Sequence, residues 1–273
     1  MKLSLKSAVA AAVLTSAAPA MAVNIGGISV PTGPHFEVAS VYENVVTAVG
    51  DVLTGYGQVT QINGSANFCV AGPLLCELTY TFGGFTVTNF AATDIVFSGG
   101  WVNFYVGTGA TLNFNPFTSA SQAEDIAEAS DGSLWMTLMG HNNIADGGVH
   151  GAAVAGVLFA SGNSFGTGTD VGTGLGLLDI DLTGAANGNA AGAGAVANVA
   201  FDTDSIADNI MGTADLQLGS SFGTAVPPFH GQTPLAGSAD MRGLVQVPEP
   251  TAISLLGLGL LGATFARRRK NAA

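Results

Sequence analysis

The chain has 273 residues, of which 48% are hydrophobic and only 10% are charged. So little charge argues against a disordered, solvated chain, and the 39 glycines argue against long helices. Eighteen acids and one basic residue, Arg242, lie between Val23 and Val247, so this span carries a net charge of −17. Phosphates would repel such a body, which excludes nucleic acid as a partner.

The first 22 residues predict a secretory signal peptide. Lys2 and Lys6 precede a short apolar stretch, and Ala20 and Ala22 form an A-x-A cleavage site. A positively charged start, an apolar stretch too short to span a bilayer and small residues at the cleavage site are the three parts of such a signal. A buried N-terminal helix is the alternative. We expect the secretion machinery to export the chain and signal peptidase to cleave it after Ala22.

Residues 23–246 are predicted to form one secreted, all-β domain. Short runs rich in Thr, Val and Phe are separated by glycine pairs, which is typical of a sandwich or a barrel, and we expect an antiparallel β-sandwich or jelly-roll-like body. Segments 76–90 and 92–115 are each predicted to be a β-hairpin that turns at a glycine pair, Gly83-Gly84 in the first and Gly99-Gly100 in the second. The other predicted strands are 35–42, 57–62, 134–139, 153–159, 177–182, 195–201, 213–218 and 238–245.

Cys69 and Cys76 are the only cysteines of the chain, and they enclose a short loop that contains Gly72 and Pro73. In an exported protein, two cysteines this close predict a disulfide, with free thiols as the alternative. Two thiols cannot complete a structural zinc site, and no histidine lies nearby in the sequence. We therefore expect a disulfide that holds this loop.

One helix is predicted within the β-rich body, over residues 119–132. Ser121 and Glu124 have the spacing of a capping box, acids occupy the first turn and Gly132 ends the helix. We expect this helix to be a solvated connector, and a functional acidic helix is the alternative.

Two short motifs raise the question of catalysis. His141 and His150 lie on one loop with Asp146 and could bind a metal or act as a base, but no spacing is diagnostic, and surface histidines on a polar loop are the simpler interpretation. Ser164 lies in a G-x-S-x-G sequence, but the glycine-rich residues that follow cannot form the helix that a nucleophile elbow requires. We therefore expect no enzyme and no catalytic residue.

A glycine-rich segment, 167–205, carries acids at alternate positions. The segment is either an extended loop or a set of strands packed so closely that only Gly and Ala fit. Asp179 with Asp181, and Asp202 with Asp204, could each offer oxygens to Ca²⁺ from one face of a strand, although neither pair has the EF-hand spacing. A solvated acidic face is the simpler interpretation. The sequence therefore predicts no resident cofactor and leaves Ca²⁺ as the one candidate.

The C-terminal segment, 247–273, has three parts. A motif with two prolines comes first, and prolines keep the junction extended and accessible to another protein. Residues 251–266 are an apolar run without charge, predicted to be a single transmembrane helix of marginal length, and the basic cluster after it orients the C-terminus towards the cytoplasm. The motif consists of Val247, Pro248, Glu249 and Pro250, and the basic cluster of Arg267, Arg268, Arg269 and Lys270.

These three parts, in this order, resemble the PEP-CTERM sorting signal of Gram-negative bacteria. The resemblance implies that an exosortase, a membrane transpeptidase-like enzyme, reads and removes the tail. It also implies that the protein passes through an inner-membrane intermediate to the cell surface or the extracellular matrix.

The body is similar, in short glycine-rich pieces such as 177–186 and 214–222, to the flocculation-associated PEP-CTERM proteins of floc-forming bacteria. That similarity implies a role in holding cells together within extracellular polysaccharide. It supplies no catalytic residues.

Three classes of function follow. We expect a structural, adhesive surface protein that acts in floc or biofilm formation, with polysaccharide or other copies of the chain as partners and exposed strand edges as one means of self-association. The alternative is a Ca²⁺-dependent carbohydrate-binding module of the matrix, in which the paired aspartates converge on a cation. The remote alternative is an exported hydrolase, which needs Ser164 close to His141 or His150.

Overall fold

The computed structural model describes residues 22–72, 75–144, 155–167, 169–183, 195–207, 212–224 and 235–246. These residues form fifteen strands, two short α-helices and one 3-10 turn at Gly109–Thr111. The strands are β1 (Ala22–Ile25), β2 (Ile28–Pro31), β3 (Gly33–Glu43), β4 (Val52–Ile62), β5 (Glu77–Phe90), β6 (Asp94–Gly107), β7 (Ser133–His141), β8 (Asn143–Ile144), β9 (Ala155–Gly156), β10 (Leu158–Asn163), β11 (Val171–Ile180), β12 (Ile206–Ala207), β13 (Thr213–Ala214), β14 (Leu216–Thr224) and β15 (Leu235–Val245). The helices are α1 (Gln122–Ser130) and α2 (Asn198–Phe201).

Nine of these strands form one antiparallel sheet that closes on itself. The order around the closed sheet is β3, β4, β5, β6, β7, β11, β14 and β15, and β15 pairs again with β3. The ninth strand, β10, pairs with β6 and β11, as β7 does. Each strand of the closed sheet therefore has a partner on both sides.

Strands β7 and β10 behave as one interrupted strand. Along β6, Trp101 faces Met139 of β7, and Phe97 faces Leu158 of β10. The two strands therefore follow each other along a single line, and the sheet has eight strand positions. A closed sheet of about eight strands has an interior just wide enough for packed side chains or for one small ligand.

The prediction of an all-β domain is confirmed, but the sandwich or jelly-roll-like arrangement is wrong. The strands form one closed sheet, the barrel that the same strand pattern allows. The physical reason is the order of the strands, because almost every strand pairs with the strand before it and the strand after it along the chain. A sandwich or jelly roll needs connections that cross between two sheets.

The glycine pairs Gly83-Gly84 and Gly99-Gly100 lie within two long strands, and the prediction that they are hairpin turns is wrong. β5 runs through the first pair and β6 through the second. The turn lies between the two strands, where Ala91 and Asp94 exchange backbone hydrogen bonds. Gly84, Gly99 and Gly100 have positive φ, which glycine adopts without strain.

Helix α1 confirms the predicted helix, which is solvated on most of its surface and docked through two buried residues, Asp125 and Ala129. Ser121 accepts a hydrogen bond from the backbone N–H of Glu124 at 3.2 Å and so caps the helix. Asp125 is fully buried and accepts a hydrogen bond from the Tyr56 hydroxyl at 2.6 Å. The helix is therefore docked on the outside of the closed sheet, against β4 and β5.

Most of the other predicted strands coincide at least partly with observed strands, and segment 195–201 is the exception. A turn and α2 form there, and the Asn198 side chain accepts a hydrogen bond from the Thr137 backbone N–H at 3.0 Å. In the glycine-rich segment, β11 has the close packing that was one of the two predictions. A Cβ atom at Gly174 would lie 2.5 Å from the Ser220 hydroxyl oxygen.

Among the described residues, no helix combines the length and the apolar character needed to cross a membrane. The predicted transmembrane helix, 251–266, and the predicted signal peptide up to Met21 lie outside the described residues.

Candidate functional sites

The chain leaves the closed sheet at a fixed point. β15 ends at Val245, and the backbone N–H of Gln246 donates to the Ala200 carbonyl at 2.8 Å. Gln246 is the last described residue, so the sorting motif (Val247, Pro248, Glu249 and Pro250) and the basic cluster (Arg267, Arg268, Arg269 and Lys270) lie outside the described residues. Because β15 pairs with both β14 and β3, removal of the chain after Gln246 would leave the closed sheet complete.

The predicted signal cleavage site lies at the start of β1. Ala22 is exposed and is the first residue of that strand, and Ala20 lies outside the described residues. The residues that follow are anchored, because Trp135 Nε1 donates to the Ile25 carbonyl at 2.8 Å and Ile28 is fully buried. Cleavage after Ala22 would therefore remove one residue of β1 and keep the anchored part.

Cys69 and Cys76 form the predicted disulfide, with their Cα atoms 5.6 Å apart. Cys69 makes a β-bridge to Ile28 of β2, and Cys76 directly precedes β5. The disulfide thus links the N-terminal hairpin to the start of a long strand of the closed sheet.

Three of the four aspartates that could offer oxygens to Ca²⁺ have partners within the chain, and for Asp204 the partner is the Thr213 hydroxyl, which donates at 3.3 Å. Asp179 lies 2.8 Å from His141 Nδ1; burial raises the pKa of Asp179, and the hydrogen bond to His141 opposes this shift. Asp181 accepts hydrogen bonds from the backbone N–H and the hydroxyl of Thr183 at 2.9 and 2.8 Å. The other polar residues of the histidine loop, Asp146 and His150, lie outside the described residues.

Asp215, which no sequence pattern identifies, fixes the backbone near Asp202 and Asp204. It is buried, and its oxygens accept hydrogen bonds from the backbone N–H groups of Ile180, Thr203 and Asp204 at 2.6–2.8 Å. Asp202 is exposed. Within the described ranges, no three His, Cys, Asp or Glu side chains lie close enough together to hold a metal ion.

Ser164 and His141 are far apart. Ser164 follows Asn163, which faces Val171 of β11, whereas His141 faces Leu177 of the same strand. Six residues along a strand correspond to about 20 Å. Ser164 and His141 are therefore not paired, and His150, the other histidine that the hydrolase alternative allows, lies outside the described residues.

A row of hydroxyl groups crosses the outer face of the closed sheet, from β10 to β3. The residues that face each other in register are, in order, Ser161, Thr173, Ser221, Ser238 and Ser40. The first three are exposed and line a groove of about 490 Å³. The hydroxyl oxygens of Ser221 and Ser238 lie 2.9 Å apart. We call these five residues the hydroxyl row.

A second groove, of about 220 Å³, lies beside the hydroxyl row on the same face. Its lining includes Phe36, Leu175, Gln217, Gly219, Asp240 and Arg242. Gly219 forms the floor, because it lies in register between Leu175 and Asp240. Arg242 is the only basic residue between Val23 and Val247, and its Nε donates to Gln217. The face thus combines hydroxyls, a half-exposed aromatic ring, one guanidinium group and the Asp240 carboxyl group.

Three carboxyl groups face the interior of the closed sheet. Glu37, Glu43 and Asp170 are 2%, 7% and 2% exposed, and each lines an internal cavity. His35 Nε2 lies 2.8 Å from Glu37 Oε1. Burial raises the pKa of Glu43 to about 8, so this carboxyl group is mostly protonated at neutral pH.

None of these three acids belongs to a motif that identifies it as a site residue. A signal for two of them exists, because Glu37 and Glu43 have the same parity as the apolar residues between them in β3, and alternation therefore places them on the buried face. Asp170 lies in a Thr- and Gly-rich stretch without such a pattern.

Residues 246–270 match a family model described as the PEP-CTERM protein-sorting motif. A second similarity is to alkaline elastase YaB of Bacillus sp. (strain YaB), with 38% identity over 87 residues, which are 32% of this chain and 21% of that protein. The chain therefore spans about a fifth of the length of that curated relative. No solved structure matches the chain.

Proposed function

We propose that this chain, an exported and exosortase-sorted PEP-CTERM protein by its match over residues 246–270, has a structural, adhesive role in floc or biofilm formation. Its place would be the cell surface or extracellular matrix of a Gram-negative bacterium. The observation that carries the proposal is the position of the sorting motif, which begins where β15 ends. An exosortase could remove this tail and release a folded domain.

The adhesive partner that we propose is extracellular polysaccharide, bound on the face that carries the hydroxyl row. Each Ser or Thr hydroxyl both donates and accepts hydrogen bonds, as sugar hydroxyls do. Phe36 offers an apolar surface to a sugar ring, and Arg242 offers several N–H donors in one plane. The hydroxyl row itself carries no charge, which suits it to a neutral polymer on an otherwise acidic body.

Self-association through the strands of the closed sheet is not part of the proposal. An edge strand attracts another strand because its N–H and C=O groups are unpaired. Each strand of the closed sheet already pairs on both sides. We therefore propose that copies of the protein are joined through the polysaccharide that they share.

The proposal includes no catalytic step and no resident cofactor. The distance between Ser164 and His141 supports the first part, and the internal partners of Asp179 and Asp181 support the second. A Ca²⁺-dependent carbohydrate-binding module remains the alternative, and a chelator separates the two.

Co-sedimentation of the protein with extracellular polysaccharide tests this function. The double variant Thr173→Glu/Ser221→Glu adds charge and bulk to the hydroxyl row, and we expect it to lower binding at least tenfold. The matched control, Thr54→Glu/Thr60→Glu, adds the same charge at exposed positions of β4 and should bind like the wild type. Equal losses in both variants would contradict the proposed face. Loss of wild-type binding in EDTA would favour the Ca²⁺-dependent alternative.

A further inference from the structure

The closed sheet encloses two narrow, mostly apolar cavities next to β3, which together we call the channel. Two internal cavities, of about 50 and 30 Å³, adjoin each other. They share four lining residues, Glu43, Leu53, Leu158 and Ser220. Ala39 and Val41, the inward residues of β3 between Glu37 and Glu43, line the larger cavity with small apolar side chains. The channel therefore runs along β3.

Carboxyl groups lie at both ends of this channel. Glu37 and Glu43 are six residues apart on the same face of β3, which corresponds to about 20 Å between their backbones. Glu37 lines the larger cavity, and Asp170 joins Glu43 in the lining of the smaller one. The middle is apolar, so the channel has acidic groups at both ends and apolar walls between them.

Some of these carboxylate oxygens lack a partner in the protein. Among the described residues, no group donates a hydrogen bond to Glu37 Oε2 or to either side-chain oxygen of Asp170. His35 contacts only the other oxygen of Glu37. Arg242, the single Lys or Arg of the body, lies in the groove on the outer face. A buried carboxylate without a donor is costly, so these oxygens are suited to a cationic donor from outside the chain.

We propose that the channel binds a linear aliphatic diamine, with one ammonium group at Glu37 and the other at Glu43 and Asp170. An ammonium group supplies three N–H donors. Its hydrogen bonds to the carboxyl groups of Glu37 and Asp170 can be charge-assisted, and the protonated Glu43 accepts through its carbonyl oxygen. The methylene chain lies against Ala39 and Val41, where burial of apolar surface favours it.

Isothermal titration calorimetry tests the inference on the protein purified in the form that cells export. The probes are 1,n-diaminoalkanes with n from about 4 to 10, and each is compared with the 1-aminoalkane and the α,ω-diol of the same length. We expect one diamine length to bind best and at least tenfold more tightly than its monoamine, because only the diamine reaches both ends. The diol should bind most weakly. Diamine binding that is absent, or no tighter than diol binding, would overturn the proposal.

Variants distinguish diamine binding in the channel from nonspecific attraction of a cation to the acidic surface. Glu37→Gln and Asp170→Asn each remove one end of the site, and each should reduce diamine affinity at least tenfold, to the monoamine level. Ala39→Leu fills the channel and should abolish binding. Asp131→Asn removes an exposed acid and should leave the affinity unchanged. If Asp131→Asn weakens binding as much as Glu37→Gln does, the proposal is wrong. Circular dichroism establishes which variants are folded. The test needs only one of the two end variants, Glu37→Gln or Asp170→Asn, to be folded.

Discussion

Gly57 lies opposite Tyr80 in the ladder between β4 and β5, and the Tyr80 hydroxyl donates to the Ser40 carbonyl at 2.6 Å. A Cβ atom at position 57 would lie 2.0 Å from that carbonyl oxygen and 2.5 Å from the hydroxyl oxygen. The absence of a side chain on β4 thus makes room for a large aromatic side chain from β5. Tyr80 in turn lines the internal channel.

The first prediction concerns this contact. Gly57→Ala should lower the free energy of unfolding by about 1–3 kcal/mol, because an added methyl group in a packed interior forces its neighbours to move. Gly219→Ala is the control, because its Cβ would come no closer than 4.0 Å to the atoms around it. We expect that variant to be neutral or up to about 1 kcal/mol more stable. Urea denaturation measures both, and equal losses would contradict this description of the interior.

The second prediction concerns the docking of α1. Tyr56→Phe removes the hydroxyl that donates to Asp125 and leaves a buried carboxylate with one donor fewer. We expect the free energy of unfolding to fall by about 1–3 kcal/mol. Tyr105→Phe, at a partly exposed tyrosine of β6, is the matched control and should change stability by less than about 0.5 kcal/mol. Similar losses in the two variants would show that the contact with α1 has no special role.

The third prediction concerns pH. The pKa of Glu43 is about 8 in the folded protein and near 4.5 in the unfolded chain, so the folded state holds this proton more tightly. The group therefore favours folding at low pH. Its contribution is lost as the pH rises from about 4.5 to about 8, at up to about 1.4 kcal/mol per pH unit.

Glu43→Gln isolates this contribution, because the amide does not titrate. The stability of the variant relative to the wild type should rise between pH 5 and pH 8 and level off above that range. Denaturation at a series of pH values measures the difference. A difference that stays constant over this range would mean that Glu43 is not held protonated.

The fourth prediction concerns the disulfide. Replacing Cys69 and Cys76 together by serine should lower the free energy of unfolding by about 2–3 kcal/mol, because the bond restricts the unfolded chain. A reductant should have the same effect on the wild type and none on the double variant. If reductant destabilises both proteins equally, the loss does not come from this bond.

Local patterns in the sequence predict the strands but not the closure of the sheet. The alternation of buried and outward residues in β3 is visible over a few residues, and the predicted strand 35–42 lies within it. Closure depends on the pairing of β15 with β3, which joins Leu235 to Glu43 across most of the body. No local pattern reports such a pairing, which is why a sandwich and a barrel are equally compatible with the sequence.

The glycine pairs show a different limit. Between two alternating segments, Gly99-Gly100 is a normal signal for a hairpin turn. In the structure, the side chain of Phe85 occupies the space where a Cβ atom of Gly100 would be, 2.2 Å from its Cδ1 atom. The glycine is there for a neighbour on another strand, and only the tertiary structure identifies that neighbour.

The candidate sites differ in the same way. The sorting motif is a continuous stretch and could be identified from its order of residues, which the family match confirms. The hydroxyl row depends on the register of five strands, so residues as distant as Ser40 and Ser238 become neighbours only after folding. The disulfide could also be predicted from the sequence, because its two cysteines are close together along the chain.

The central claim is that this protein is a folded domain delivered by a removable tail. Intact mass and location of the protein, in cells with and without their exosortase, test it most directly. We predict that normal cells release a form that lacks both the signal peptide and the tail, and that cells without exosortase keep a tailed form in the membrane. A full tail on the protein in both kinds of cell would contradict the claim.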